Sequence, residues 1–177
     1  PIIRHLKEAG LANKPEDKVK VLFIPAFLDG HDGIFDMDYY DLLTGIDYNI
    51  LPSYYDPWGH TAHESLSYKV PALTTSLTGF GNWVKNEFKD TDHGVFILER
   101  NDENEEEIVQ GIHDSLLTMI GLNDEQMANA RKRASEIAAN ALWSEQIVHY
   151  EKAYQAAIDK VSKRVDTFVE TERAEQL

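Results

Sequence analysis

The pattern of apolar positions along the first hundred residues predicts short strands alternating with helices. The run VKVLFIPAF, from Val19 to Phe27, is almost continuously apolar, as in a strand that is covered on both faces. Further strands are predicted at residues 47–52, 72–76 and 94–98. Helices are predicted at residues 2–11 (ending near Gly10), 39–46, 61–69 and 81–88. This alternation predicts an α/β fold with a mainly parallel, Rossmann-like sheet.

Beyond Arg100 the pattern is helical throughout. Three apolar stripes spaced three and four residues apart predict three further helices. Their members are Ile108, Ile112, Leu116 and Met119; then Met127, Ala130, Ala134, Ile137 and Ala141; then Trp143, Ile147, Tyr150, Tyr154, Ile158, Val161, Val165 and Phe168. The last helix is long and ends in a strongly charged segment. Part of it is therefore expected to project or to dock on a segment outside this chain.

Length and composition narrow the class of protein. A chain of 177 residues predicts a single domain, with an α/β part at 1–100 and a helical part at 101–177. The absence of cysteine excludes disulfides and thiol catalysis and fits a cytoplasmic location. A net charge of −14 argues against nucleic-acid or anionic-membrane partners, and no apolar run reaches membrane-spanning length. Because the chain begins at Pro1 without an initiator Met, we expect it to be part of a longer protein.

Candidate chemistry concentrates in Ser53 to Gly81. In an open parallel sheet, ligands bind beyond the carboxyl ends of the strands, which is where residues 56–61 are predicted to lie. A helix beginning at Thr61 would present backbone N–H groups suited to phosphate. The alternative is a capping box, in which Glu64 bonds back to the Thr61 backbone. Spacing alone favours the capping box.

Other side chains of this stretch have both a functional and a structural interpretation. Asp56 and Glu64 are either ligand-binding carboxylates or a turn aspartate and a helix cap. A metal hydrolase using His60, His63 and Glu64 is a third hypothesis, but the order H-x-x-H-E departs from the zinc signature, and no metal is expected. Aromatic residues such as Tyr39 and Trp58 either stack on a ligand or pack in the core. The Thr78–Gly81 loop could let the backbone approach a ligand closely.

Taken together, these segments resemble one known family. SYYDPWGHTAHE and TTSLTGFG resemble the pattern SYYEPWGYTPxE…TTNLxGFG of the glycogen synthases of glycosyltransferase family 3. Further similarity lies in residues 1–11, 17–25, 38–41 and 94–98, and in Trp143 at the start of the last helix. The resemblance covers residues 1–160.

The resemblance implies a fold and a reaction. The family has the GT-B fold, two Rossmann-like domains with the active site between them, and this chain corresponds to most of the second domain. The implied reaction is retaining transfer of glucose from UDP-glucose to the non-reducing end of an α-1,4-glucan, without a metal or other cofactor. The implied partners are the donor, the glucan acceptor and a Rossmann-like acceptor domain preceding Pro1 in the same protein. The sequence leaves open UDP or ADP as donor nucleotide, and a homo-oligomer.

The resemblance also implies roles for individual residues. Tyr39 matches the aromatic that stacks on uracil, Glu64 matches the carboxylate that binds ribose, and the Thr61 region would offer amides to the phosphates. Asp56, Trp58 and Gly59 match the turn that cradles the donor glucose. The predicted catalytic residues are therefore Asp56 and Glu64. The predicted substrate-binding residues are Tyr39, Trp58, Gly59, His60, Thr61 and Gly79.

Three departures from the family pattern affect these expectations. Asp56 replaces a glutamate, which withdraws the carboxylate by about 1.5 Å, one bond's reach. The alternative function is therefore a catalytically weakened nucleotide-sugar or glucan-binding module. The family's Tyr-Thr-Pro is His60-Thr61-Ala62 here. The segment 123–137 carries three basic residues among acidic ones, whereas eukaryotic members carry an Arg-rich helix, so weak or no activation by glucose 6-phosphate is expected.

Overall fold

The computed structural model describes the backbone of residues 2–175 and the side chains of residues 2–161. Contacts divide the chain into two units, Pro1–Ile46 and Asp47–Leu177. The first unit contains α1 (Ile2–Glu8) and α2 (Tyr39–Thr44). The elements of the second unit are β1 (Asn49–Ile50), α3 (His60–Ser67), β2 (Ala72–Thr75), α4 (Gly79–Glu87), β3 (Val95–Leu98), α5 (Glu105–Gly121), α6 (Asp124–Asn140) and α7 (Trp143–Glu175). The expectation of one domain over residues 1–177 stays a prediction.

The second unit is built on a parallel sheet in the order β1-β2-β3. Asn49 lies opposite Ala72, and Ala72 lies opposite Val95, so β2 is the middle strand of the three. All four residues of β2 are buried, as expected for a parallel strand with covered faces. The α/β class with a Rossmann-like parallel sheet followed by helices is confirmed.

Helices α3 and α6 pack together beside this sheet. The core cluster includes Leu66 of α3, Phe80 and Val84 of α4, Val95 of β3 and Ile137 of α6. Small residues of α6 allow a close approach to the start of β3. A Cβ added to Gly94 would lie 2.7 Å from the backbone nitrogen of Ala134. The second predicted stripe is therefore a core stripe, and it fixes α6 next to the helix that opens the candidate site.

The strand predicted at Val19–Phe27 is wrong. These residues form no strand in the structure, and Leu22 and Phe27 are 63% and 93% exposed. The Asn13 side chain binds both backbone polar groups of Val21, donating to its carbonyl at 2.7 Å and accepting from its N–H at 2.8 Å. The backbone of Val21 is therefore hydrogen-bonded to a side chain rather than to a neighbouring strand.

The three helices predicted after Arg100 are confirmed as α5, α6 and α7. Helix α6 begins with a capping box, in which the Asn123 side chain accepts from the Gln126 N–H and the Gln126 side chain accepts from the Asn123 N–H. Much of the third apolar stripe lies on the surface, with Tyr154 62% exposed. Val165 and Phe168 lie outside the side chains that the structure describes. No helix in the described part of the chain is long and apolar enough to cross a membrane.

Tyr48, which precedes β1, supplies a pH-dependent contribution to stability. Burial raises the pKa of its phenol to about 12, and the Ser115 hydroxyl partly opposes this rise. An unfolded chain ionises Tyr48 near pH 10, so the folded state binds more protons between pH 10 and pH 12. The contribution is therefore complete below pH 10 and is lost as the pH rises to 12.

We expect Tyr48→Phe to remove this contribution. Urea unfolding of the parent at pH 9.5 and 11.5 should show a larger loss of stability than the variant shows. The difference in absorbance at 295 nm between the two proteins should titrate near pH 12. Equal losses of stability, or a difference titration near pH 10, would contradict the assignment.

Candidate functional site

The candidate site is formed by two loops at the carboxyl edge of the sheet. The loop after β1 carries Asp56 to Gly59, and the loop after β2 leads through Leu77 and Thr78 into α4. A parallel bridge joins Asp56 and Thr78. The Asp56 N–H donates to the Leu77 carbonyl at 3.4 Å, and the Asp56 carbonyl accepts from the Gly79 N–H at 3.1 Å. The sequence prediction that residues 56–61 lie at this edge is confirmed.

Gly79 makes this contact between the two loops possible. A Cβ at position 79 would lie 2.2 Å from the Pro57 carbonyl oxygen. The Phe80 N–H donates to the Trp58 carbonyl at 2.5 Å, immediately beside that contact. Gly79 therefore lets backbone approach backbone. Its expected contact with substrate stays a prediction.

The glycine-rich loop expected at Thr78–Gly81 is instead the first turn of a helix. Helix α4 begins at Gly79, two residues earlier than predicted, because Thr78 caps it. The Thr78 hydroxyl accepts from the Gly81 N–H at 2.9 Å and donates to the Thr75 carbonyl at 3.0 Å. The loop prediction missed Thr78 as a helix cap.

Asp56 stabilises the turn that leads into α3, and the start of α3 is here called the α3 entrance. Its Oδ1 accepts from the Trp58 N–H at 3.2 Å and from the Gly59 N–H at 2.8 Å. This is an Asx turn, which a short carboxylate side chain forms with the amides that follow it. The turn interpretation of Asp56 is confirmed, and its proposed catalytic role remains a separate prediction.

The capping box predicted at Thr61–Glu64 is wrong. Helix α3 begins at His60, one residue earlier than predicted, and its N-cap is Gly59 at φ 99°, with no side-chain cap. A positive φ favours glycine, so the chain can turn into the helix here without a capping side chain. With Gly59 as the N-cap, the N3 position that completes a capping box is Ala62 and not Glu64. The Gly59 N–H donates to Asp56 Oδ1 instead. The first exposed backbone amides of α3, those of His60 and Thr61, have no hydrogen-bond partner within residues 2–161.

Glu64 lies in the second turn of α3 and is half-buried. Within the described side chains, its carboxylate forms no hydrogen bond and no ion pair. A half-buried carboxylate without a protein partner, close to the positive end of a helix, is suited to accept hydrogen bonds from a ligand. Because no capping box forms, helix capping does not explain the presence of Glu64 at this position.

Trp58 joins the site to an aromatic cluster in the core. Its ring centroid lies 5.6 Å from that of Phe80, 6.0 Å from that of Trp83 and 6.2 Å from that of His63. The His63 ring stacks on Phe80 at 5.3 Å, and its Nε2 lies 3.2 Å from the Ala138 carbonyl oxygen. His63 is thus held by core contacts, which does not favour the metal-hydrolase hypothesis. Among the described side chains, no group of three His, Asp or Glu residues could hold a metal ion.

Tyr39 belongs to the first unit, where it is the first residue of α2. Its ring packs edge to face against Tyr40, with centroids 5.2 Å apart. Seven of the predicted site residues lie at one edge of the second unit: Asp56, Trp58, Gly59, His60, Thr61, Glu64 and Gly79. Tyr39 belongs to the other unit, and its proposed role stays a prediction.

One cluster beside the site was not predicted from the sequence. The Arg100 guanidinium is only 3% exposed and lies beneath the Tyr54 ring, 3.4 Å from the ring centroid. Arg100 Nη2 and the Tyr54 hydroxyl both donate to Glu105 Oε2, at 2.6 Å and 2.7 Å. The hydrogen bond to Glu105 raises the pKa of Tyr54, because the carboxylate favours the protonated phenol. An arginine two residues after the strand predicted at 94–98 was the available sequence signal.

Fold and site together define an α/β domain of the Rossmann-like class, with its candidate site at the carboxyl edge of the parallel sheet. The family model for glycogen synthase matches residues 1–176, so the chain belongs to the glycogen synthase family.

Individual relatives carry the same family name. The chain is 30% identical over 167 residues to a glycogen [starch] synthase of Caenorhabditis elegans, which covers 94% of this chain and 25% of the relative. It is 30% identical over 161 residues to isoform 1 of Saccharomyces cerevisiae, covering 89% and 23%. It is 38% identical over 101 residues to the liver enzyme of Mus musculus, covering 56% and 14%. The chain spans about a quarter of the length of the first two relatives.

Gly79→Ala should destabilise the protein by about 1–3 kcal/mol, since the added methyl group meets backbone rather than a movable side chain. Urea unfolding measures this change. Gly121→Ala is the matched control, because a Cβ at position 121 meets nothing within 4 Å. We expect the control to stay within about 1 kcal/mol of the parent. Equal stability of the two variants would show that the two loops can separate without cost.

Proposed function

We propose that this chain is the donor-binding, second Rossmann-like domain of a GT-B glycogen synthase. The reaction is retaining transfer of glucose from UDP-glucose to the non-reducing end of an α-1,4-glucan. The observation that carries the proposal is the α3 entrance, where the Glu64 carboxylate and the His60 and Thr61 amides have no protein partner within residues 2–161. The family match over residues 1–176 supports the choice of reaction.

The α3 entrance is suited to the donor diphosphate. Unpaired amides at a helix N-terminus, together with the helix dipole, favour a negative ligand. The protein itself is acidic, with a net charge of −14, so a few amides would not balance two phosphates alone. Positive side chains from a preceding Rossmann-like domain would complete the site and stabilise the leaving diphosphate. No metal or other cofactor is included in this proposal.

Glu64 and Tyr39 would bind the nucleoside of the donor. A carboxylate can accept hydrogen bonds from two vicinal ribose hydroxyls, and the Glu64 carboxylate has no competing donor among the described side chains. The aromatic ring of Tyr39 would stack on the uracil. UDP is the proposed donor nucleotide, and a parallel titration with ADP tests that choice.

The turn from Asp56 to Gly59 would hold the transferred glucose. Trp58 packs in the aromatic cluster and the Gly59 N–H donates to Asp56, so contacts within the protein hold this turn. Gly79 supports this turn from the neighbouring loop. His60 would contribute to binding from the first position of α3.

The use of Asp56 Oδ1 in the turn is the specific observation that favours the alternative function. One oxygen of this carboxylate already accepts two backbone N–H groups. Combined with the shorter side chain, this would leave less of the carboxylate to act on the sugar. The alternative is therefore a nucleotide-sugar or glucan-binding module with weakened transfer.

Regulation by glucose 6-phosphate is proposed to be weak or absent, because basic side chains of α6 are used within the protein. Arg131 Nη2 donates to Asp47 Oδ1 at 2.7 Å. Arg133 donates to the Asp90 carbonyl at 2.7 Å and to Glu136 at 3.3 Å.

We also propose a cytoplasmic location, a glucan acceptor as the second substrate and no nucleic-acid partner. The oligomeric state stays open.

UDP binding tests the donor site directly. In the full-length protein, calorimetry should detect UDP, and Glu64→Gln and Tyr39→Ala should each weaken its affinity about tenfold, since each removes one contact with the nucleoside. Glu87→Gln, which changes an exposed carboxylate on α4, is the control and should leave the affinity unchanged. Absence of UDP binding at millimolar concentration would reject the proposal.

Asp56→Glu separates the two functions. We expect the full-length parent to transfer glucose, and Asp56→Glu to raise kcat by up to about a hundredfold, because the carboxylate gains about 1.5 Å of reach toward the sugar. The measurement is transfer of labelled glucose from UDP-glucose to glycogen. An inactive parent that gains activity would establish the weakened module. A parent whose kcat the substitution leaves unchanged would show that Asp56 is sufficient.

A further inference from the structure

Arg100 is a buried cation at the carboxyl end of the sheet. Its side chain is 3% exposed, and it follows β3 by two positions. Burying a charge is unfavourable unless the charge is paired and hydrogen-bonded. The contacts of Arg100 therefore show which groups stabilise this buried charge.

These contacts form a closed triangle, here named the Arg100 brace and consisting of Arg100, Tyr54 and Glu105. The guanidinium donates to Glu105 at 2.6 Å and lies 3.4 Å from the centroid of the Tyr54 ring. The Tyr54 hydroxyl closes the triangle by donating to the same Glu105 oxygen at 2.7 Å. A cation against an aromatic face, with both groups donating to one carboxylate, favours the position of the ring over the guanidinium.

The Arg100 brace is attached to the segment that carries Asp56. Arg100 Nη1 donates to the Pro52 carbonyl at 2.7 Å, two residues beyond the end of β1. Tyr54 is two residues before Asp56 and belongs to the brace itself. A second tether acts between these points, because the Thr75 hydroxyl donates to the Ser53 carbonyl at 2.7 Å. The segment is therefore held at successive positions up to the Asp56 turn.

Arg100 does not offer its charge to a ligand. The guanidinium is buried, and its two terminal nitrogens already donate to protein oxygens. Tyr54 and Glu105 are each 63% exposed, so Arg100 is the buried member of the brace.

We propose that Arg100 is a positioning residue for Asp56, acting through Tyr54 and Glu105. That this site transfers glucose rests on the proposed function above. The brace holds the sugar-facing turn, whereas Glu64, which is proposed to bind the ribose, has no hydrogen bond to any residue of the brace. Loosening the brace should therefore slow transfer more than it weakens UDP binding.

Glu105→Gln in the full-length protein tests the brace, with Glu106→Gln as matched control. Both substitutions remove one negative charge from the first turn of α5, but only Glu105 contacts Arg100. We expect Glu105→Gln to lower kcat by about ten- to a hundredfold, as small misplacements of reacting groups do. The affinity for UDP should change less than threefold, and the control should match the parent. Tyr54→Phe, which removes only the hydroxyl, should lower kcat in the same direction.

Hydrogen exchange provides a readout that does not depend on activity. Amides of residues 53–59 should exchange at least tenfold faster in Glu105→Gln than in Glu106→Gln. Unchanged exchange and unchanged kcat would overturn the proposal, as would lower stability with full kcat in the folded fraction. If the parent binds no UDP and transfers no glucose, the proposed function fails, and the exchange rates alone decide whether the brace positions the segment.

Discussion

The candidate site depends on the direct backbone contact between the loops that follow β1 and β2. This contact exists because Gly79 has no side chain where the Pro57 carbonyl lies. Two backbone hydrogen bonds, from Gly79 to Asp56 and from Phe80 to Trp58, then align the turn with the start of α4. The Asp56 turn and the Gly59 cap, with which α3 begins, lie directly beside this contact.

The sheet and α6 support that contact from behind. Parallel strands end at one edge, so a short three-stranded sheet is sufficient to bring loops that are distant in sequence together. Trp58 packs the turn against the aromatic residues Phe80 and Trp83. The position of the turn therefore depends on packing in the core as well as on the loops.

The sequence allowed most of the second unit to be predicted but only part of the first. Periodicity located the helices of the second unit and its three strands. Helices α3, α4 and α6 share one core with the sheet, whereas the stripe that predicted α7 is largely exposed. It failed at Val19–Phe27, where an apolar run has no strand to pair with and Asn13 binds its backbone instead. At the site, spacing suggested a cap for Glu64 but could not show that Gly59 and Asp56 already complete the helix start. The Arg100 brace joins Tyr54 to Glu105, 51 positions apart in the sequence, which no local pattern reveals.

The Asx turn at Asp56 has a consequence for the thermodynamics of binding. An aspartate side chain is short enough to bond the amides that follow it, so this loop is ordered by its own sequence. A ligand entering such a loop does not have to supply the conformational entropy of ordering it. A shorter carboxylate can thus lose reach toward a substrate while lowering the entropic cost of receiving one.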